Sequence, residues 1–145
     1  MNNQDSVYCS WQEVELMIKV LAAKIRKSNK RYDIVLGITN GGIVPAVLMA
    51  RELDIEHIQF IPVRNKELKK NEMPSLSKNK KYLVIDEIYD TGNTFCKVSC
   101  ELKKVGCDFA FLVSRYTERS SRIFVAKILN HNKYVTFPWE KEVNG

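Results

Sequence analysis

Residues 83–94 read LVIDEIYDTGNT. Aliphatic residues run into an acidic pair, Asp86 and Glu87. A third acid, Asp90, follows, and then Thr91, Gly92, Asn93 and Thr94, all small or polar. With Tyr82, the run YLVID (82–86) is short and nearly all apolar, as expected of a strand covered on both faces. Residues 94–106 carry helical spacing and close on Gly106, a helix-stop signal. The stretch therefore reads as a buried strand ending in acids, then a tight turn opening a helix.

The same grammar extends outward. DIVLGI (33–38) is a second buried strand, TNGG (39–42) a turn, and IVPAVLMAREL (43–53) a helix with Pro45 tolerable in its first turn. HIQFIPV (57–63) alternates as a strand, and FAFLVS (109–114) and IFVAKIL (123–129) are further strands. Near the start, Ser10 and Glu13 form an S-x-x-E capping box. Val14, Met17, Ile18, Leu21 and Ile25 follow at helical spacing, giving a helix over 11–28. Residues 64–81 are polar, lysine-rich and contain Pro74, and read either as a solvated loop or as a mobile lid. The tail from Tyr134 is aromatic without a clear period. Helices alternating with buried strands predict one α/β domain over 1–145, a mainly parallel twisted sheet with helices on both faces.

The chain has 145 residues, 45% hydrophobic and 28% charged, with a formal charge of +6. That is a composition for one soluble domain with a real core. The lysine-rich stretches read either as solvated surface or as attraction for an anionic ligand. No apolar run approaches the roughly 18 residues of a membrane span, and the polar start lacks a signal-peptide core. A cytoplasmic protein without a membrane partner is the expectation. Cys9, Cys96, Cys100 and Cys107 make no C-x-x-C pair and fit no zinc spacing. They are expected as reduced, mostly buried thiols. His57 and His131 stand alone and are expected to be structural or exposed.

In a parallel sheet, ligands collect beyond the carboxyl ends of the strands. Two loops there are suggestive, 39–42 and 86–94. Residues 90–94 lead into a helix N-terminus, whose free amides and dipole favour an anion. The acids before it repel a phosphate, and suit a ribose diol or Mg²⁺. The segment thus fits a ligand with a phosphate at one end and a sugar or metal beside it. Asp90 and Thr91 serving only as helix caps, with Gly92 only a turn, is the other reading.

LVIDEIYDTGNT resembles the signature of type I phosphoribosyltransferases: hydrophobic residues, two acids, two variable residues, then D-T-G-x-T. The order of elements is similar to the bacterial xanthine–guanine branch, as are YCSW (8–11), GGIVPAVLMAREL (41–53) and PWE (138–140). The resemblance covers most of the chain, with the middle loop and residues 116–133 matching least. It implies the type I fold, with a flexible lid over about 64–80 and a small C-terminal hood, the base-binding segment, over about 130–145. It implies Mg²⁺-dependent transfer of ribose 5-phosphate from 5-phosphoribosyl-1-pyrophosphate to a nucleobase, foremost a 6-oxopurine. Asp86 and Glu87 would hold the ribose hydroxyls, with Glu87 near the metal. Asp90, Thr91, Gly92, Asn93 and Thr94 would bind the 5′-phosphate. Thr39, Asn40, Gly41 and Gly42 would bind pyrophosphate, with a cis peptide at Asn40–Gly41. Asp90 would be the general base. Arg64 and the lid lysines could also meet pyrophosphate. A homo-oligomer is expected, and nucleic acid is not an expected partner.

The chain departs from that branch at three positions. Asn40 stands where an arginine is usual. Arg115 is the nearest candidate for the lysine that meets the purine 6-oxo group. Tyr134 replaces a stacking tryptophan, beside Val135, whose carbonyl would meet a base amino group. Surface pairing of Arg115 and ordinary packing of Tyr134 and Trp139 are the structural alternatives. Two other functions compete: transfer to a non-purine acceptor, and a noncatalytic phosphoribosyl-pyrophosphate or nucleotide sensor.

Overall fold

A computed structural model describes residues 6–117 and 119–140. In chain order the elements are β1 (Ser6–Tyr8), α1 (Trp11–Lys27), β2 (Ile34–Ile38), α2 (Ile43–Glu52), β3 (His57–Ile61), β4 (Val63–Arg64), β5 (Glu67–Leu68), β6 (Lys81–Tyr89), α3 (Asn93–Glu101), β7 (Gly106–Ser114), β8 (Ile123–Ile128) and β9 (Tyr134–Thr136).

Five strands form one parallel sheet in the order β3-β2-β6-β7-β8. The middle stretches of its central strands, 34–38, 82–85 and 109–113, are apolar because both faces are covered there. Val35, Leu83, Ile85, Ala110 and Leu112 pack beneath α1 and α2. The alternate residues Ile34, Leu36, Tyr82, Val84, Phe109 and Phe111 pack with Val98 and Leu102 of the α3 side. The expected α/β architecture is therefore the observed one. The capping box is also present, with the Glu13 amide donating to Ser10 Oγ at 3.1 Å.

Several boundaries differ from expectation. β6 runs through Asp86 and Glu87 to Tyr89, so the acidic pair lies within the strand rather than at its end. β3 stops at Ile61, before Pro62. α3 ends at Glu101, and Gly106 opens β7 instead of closing the helix. The apolar Leu102 and Val105, which seemed to extend the helix, pack in the turn below the sheet. Cys9 and Cys107 are buried, but Cys96 and Cys100 are exposed, because α3 directs Val98 inward instead.

The polar segment after β3 carries local structure of its own. β4 and β5 pair antiparallel across Asn65 and Lys66, both at positive φ as a two-residue hairpin turn demands. A 3-10 turn follows at Lys70–Glu72. Arg64 forks onto both carboxylate oxygens of Glu72. The tail, which showed no period, adds β9 in parallel to β1. The last five residues of the expected C-terminal segment lie outside the described residues. Among the described residues, no helix is long and apolar enough to cross a membrane.

Candidate functional site

The carboxyl ends of β2 and β6 face a polar cavity of about 430 Å³. It is lined by Thr39, Asn40 and Gly41, by Asp86 and Glu87, by Thr94, and by Arg64, Asn65 and Lys66. The two loops singled out in the sequence thus meet around one space, joined by the base of the segment expected as a lid.

Loop 39–42 is fixed closely. Its cis peptide is Thr39–Asn40, one bond before the expected Asn40–Gly41. Thr39 Oγ1 accepts from the Val63 amide at 3.1 Å and lies 3.2 Å from the Ile61 and Val63 carbonyls. Its hydroxyl is therefore tied to the β3–β4 connection rather than turned to a ligand. Gly42 starts α2, and a Cβ there would come within 2.5 Å of the Ile85 carbonyl. At Gly41 a Cβ would overlap the Glu87 carboxylate.

Asp86 is only 7% exposed, and its Oδ1 accepts from the Glu87 amide at 2.9 Å. Burial pushes its carboxyl well above the usual carboxylate range, and the neighbouring Glu87 adds to this. Glu87 is pushed up to about 7, first by burial and then by the Glu140 carboxylate. Sequence reading assigned Glu140 no role. Its Oε2 accepts from the Tyr134 hydroxyl at 3.0 Å and its Oε1 from the Phe137 amide at 3.3 Å. The PWE tripeptide was the available signal for it.

Residues 90–94 turn from β6 into α3. Gly92 is the helix N-cap at φ +86°, a left-handed conformation that favours glycine. No side chain caps the helix there. Thr91 Oγ1 accepts from the Asn93 amide at 3.3 Å. The first-turn amides of α3 lack intrahelical acceptors, as at any helix start, and Thr94 lies at the cavity wall.

Asp90, Arg115, Tyr134 and Val135 do not line this cavity. Arg115 follows β7, and its Nε donates to Asp90 Oδ1 at 3.0 Å. Its two terminal nitrogens donate to the His131 and Lys133 carbonyls, each at 2.8 Å. Tyr134 is 58% exposed and Val135 is buried in β9. His131 Nδ1 accepts from the Lys133 amide, a structural use.

Residues 6–143 match the Phosphoribosyl transferase domain family. The chain belongs to that family. It is 30% identical to the xanthine-guanine phosphoribosyltransferase of Desulfotalea psychrophila, over 92% of this chain and 85% of the relative. It is 26% identical to the enzyme of the same name from Cereibacter sphaeroides, over 95% and 89%. Among solved structures, it resembles the purine phosphoribosyltransferase of Pyrococcus horikoshii, at a TM-score of 0.72 and 31% identity over 95% of both chains. The family relation places the chain among 6-oxopurine-related phosphoribosyltransferases at the level of superfamily and fold.

Proposed function

We propose that this phosphoribosyltransferase transfers ribose 5-phosphate from 5-phosphoribosyl-1-pyrophosphate to a 6-oxopurine, in a Mg²⁺-dependent reaction. The observation that carries the reading is the single cavity joining loop 39–41, the Asp86–Glu87 pair and Thr94. In this reading pyrophosphate would lie against loop 39–42, the ribose hydroxyls on Asp86 and Glu87, and the 5′-phosphate at residues 90–94, of which Thr39, Asn40, Gly41, Asp86, Glu87 and Thr94 line the cavity itself. The named relatives support a purine-like acceptor.

The donor set also fits a hard divalent cation. Asp86 and Glu87 are adjacent oxygen donors, held above the ordinary carboxylate range by burial. No ion pair joins either to a cationic side chain among the described residues. Nor do three or more His, Cys, Asp or Glu side chains form a ready-made metal cage there. That suits Mg²⁺, which binds through one or two carboxylates plus waters and substrate oxygens. Glu87, with Asp86 beside it, would hold the ion, which when bound would neutralise charge developing on pyrophosphate.

The protein's own groups account for the rest. As the bond from C1′ to the pyrophosphate oxygen breaks, loop amides stabilise the departing charge. A bond forms from the base nitrogen to C1′, and the base proton passes to the free oxygen of Asp90. The exposed ring of Tyr134 offers a face on which the base can stack, and the Val135 carbonyl would accept from a base amino group. The test is pyrophosphate release from the donor and Mg²⁺ with guanine, xanthine, hypoxanthine, adenine, uracil and orotate. Release with a 6-oxopurine alone supports the proposal. Release only with a pyrimidine, or donor binding without release, overturns it.

A further inference from the structure

The side chain of Arg115 is 15% exposed, although it ends beside Asp90, which is 55% exposed. All its guanidinium nitrogens are engaged: Nε with Asp90 Oδ1, and the other two with the His131 and Lys133 carbonyls. Its own amide donates to the Tyr89 carbonyl at 3.1 Å. One residue therefore joins the end of β6, the end of β7 and the chain after β8.

We infer that Arg115 is a positioning residue, which locks Asp90 and the 131–134 segment into one arrangement and does not itself read the base. The inference rests on the proposed transfer reaction, since the orientation of Asp90 is what Arg115 controls. The guanidinium is a rigid planar fork with donors in fixed directions, matched here to a carboxylate and two carbonyls. Three of its five N–H bonds are used, one on each nitrogen, and rotating the fork toward a base oxygen would leave at least one of those acceptors without its donor. Its hold on Oδ1 leaves the other oxygen of Asp90 to accept a proton. Its hold on the two carbonyls sets the approach to Tyr134, one residue beyond Lys133. The donor cavity touches neither contact, because Arg115 does not line it.

A lysine could pair with Asp90 as a point charge but could not span both carbonyls as well. Arg115→Lys and Arg115→Ala therefore separate the two holds. In hydrogen exchange of the whole protein, Arg115→Ala is expected to speed exchange of residues 90–94 and 131–137 together, by about 10-fold. Arg115→Lys is expected to speed mainly 131–137. Thermal melts check that both variants fold. If the windows do not respond in Arg115→Ala, or only one does, the inference is overturned. In kinetics, Arg115→Ala is expected to lower kcat by about 10–100-fold, the scale of a misplaced group. The KM for base should rise alongside that loss of kcat, because the loosened segment carries Tyr134 and Val135, and added guanidinium should restore part of the rate. A raised KM for base at unchanged kcat would mean that Arg115 reads the base, and would overturn the inference. If wild-type protein turns over no base at all, the transfer reading fails, while the exchange windows still decide whether Arg115 ties the two segments.

Discussion

Gly41 lies so close to Glu87 that a Cβ at position 41 would occupy the space of the Glu87 carboxylate. Loop 39–42 and the acidic pair are thus in direct contact. Gly41→Ala must displace the loop or the carboxylate. Affinity for phosphoribosyl pyrophosphate, measured by calorimetry, is expected to fall more than about 10-fold, with a stability loss of about 1–3 kcal/mol. Adding Glu87→Ala removes the overlap. The double variant should recover much of that stability, giving a strongly non-additive cycle. Additive losses would show that the two residues are independent.

Glu87 also gives the metal-free protein a pH signature. Its carboxyl ordinarily titrates near 4.5 and is raised to about 7, by burial first and by Glu140 second. The folded state then holds the proton more tightly than the unfolded state, so its contribution is full below about 4.5 and is lost as pH rises through about 7. Glu87→Gln is expected to leave the melting temperature unchanged at pH 4.5 and to raise it at pH 8, by the equivalent of about 1–3 kcal/mol. Mg²⁺ at pH 8 should stabilise wild-type protein and have much less effect on Glu87→Gln. An equal response of both proteins to Mg²⁺ would remove Glu87 from the metal site.

Arg64 lines the cavity and is forked onto Glu72. Both partners are about half exposed (51% and 44%), so the pair itself should matter little for stability. Arg64→Ala is expected to leave the melting temperature almost unchanged. It should weaken pyrophosphate binding by about 10-fold if the guanidinium meets that anion. Glu72→Ala frees the guanidinium and should leave binding equal or tighter. Loss of binding in Glu72→Ala would instead mean that the pair orders the segment.

Much of this architecture was legible because its signals are local. The apolar runs 34–38 and 82–86 had to be buried on both faces, and residues 86–94 announced both the acidic pair and the turn that opens α3. What escaped was non-local or brief. β9 is three residues long and pairs with β1 from the other end of the chain, and no periodicity reports such a contact. The β4–β5 hairpin turns on Asn65-Lys66, which lacks the glycine usual at a turn of this kind. The charge of Arg115 is visible in the sequence and suggested a base contact. The backbone carbonyls of His131 and Lys133 that engage it are not. Glu140 belonged to a recognised tripeptide, yet its approach to Glu87 depends on the fold of the tail.

Asp90 offers the sharpest division between binding and chemistry. Arg115 holds one of its oxygens, and in the proposed reaction the other would take the proton of the base. Asp90→Asn keeps the shape and an oxygen for Arg115, but removes the carboxylate base. Turnover is expected to fall by about 10²-fold or more, within the usual range for a general base. Donor binding should survive, because the cavity walls at Thr39–Gly41, Asp86, Glu87 and Thr94 are intact. Single-turnover rates and donor titration on the same preparation check both halves. Unchanged turnover would take Asp90 out of proton transfer, whereas loss of donor binding would place its main work at the 5′-phosphate.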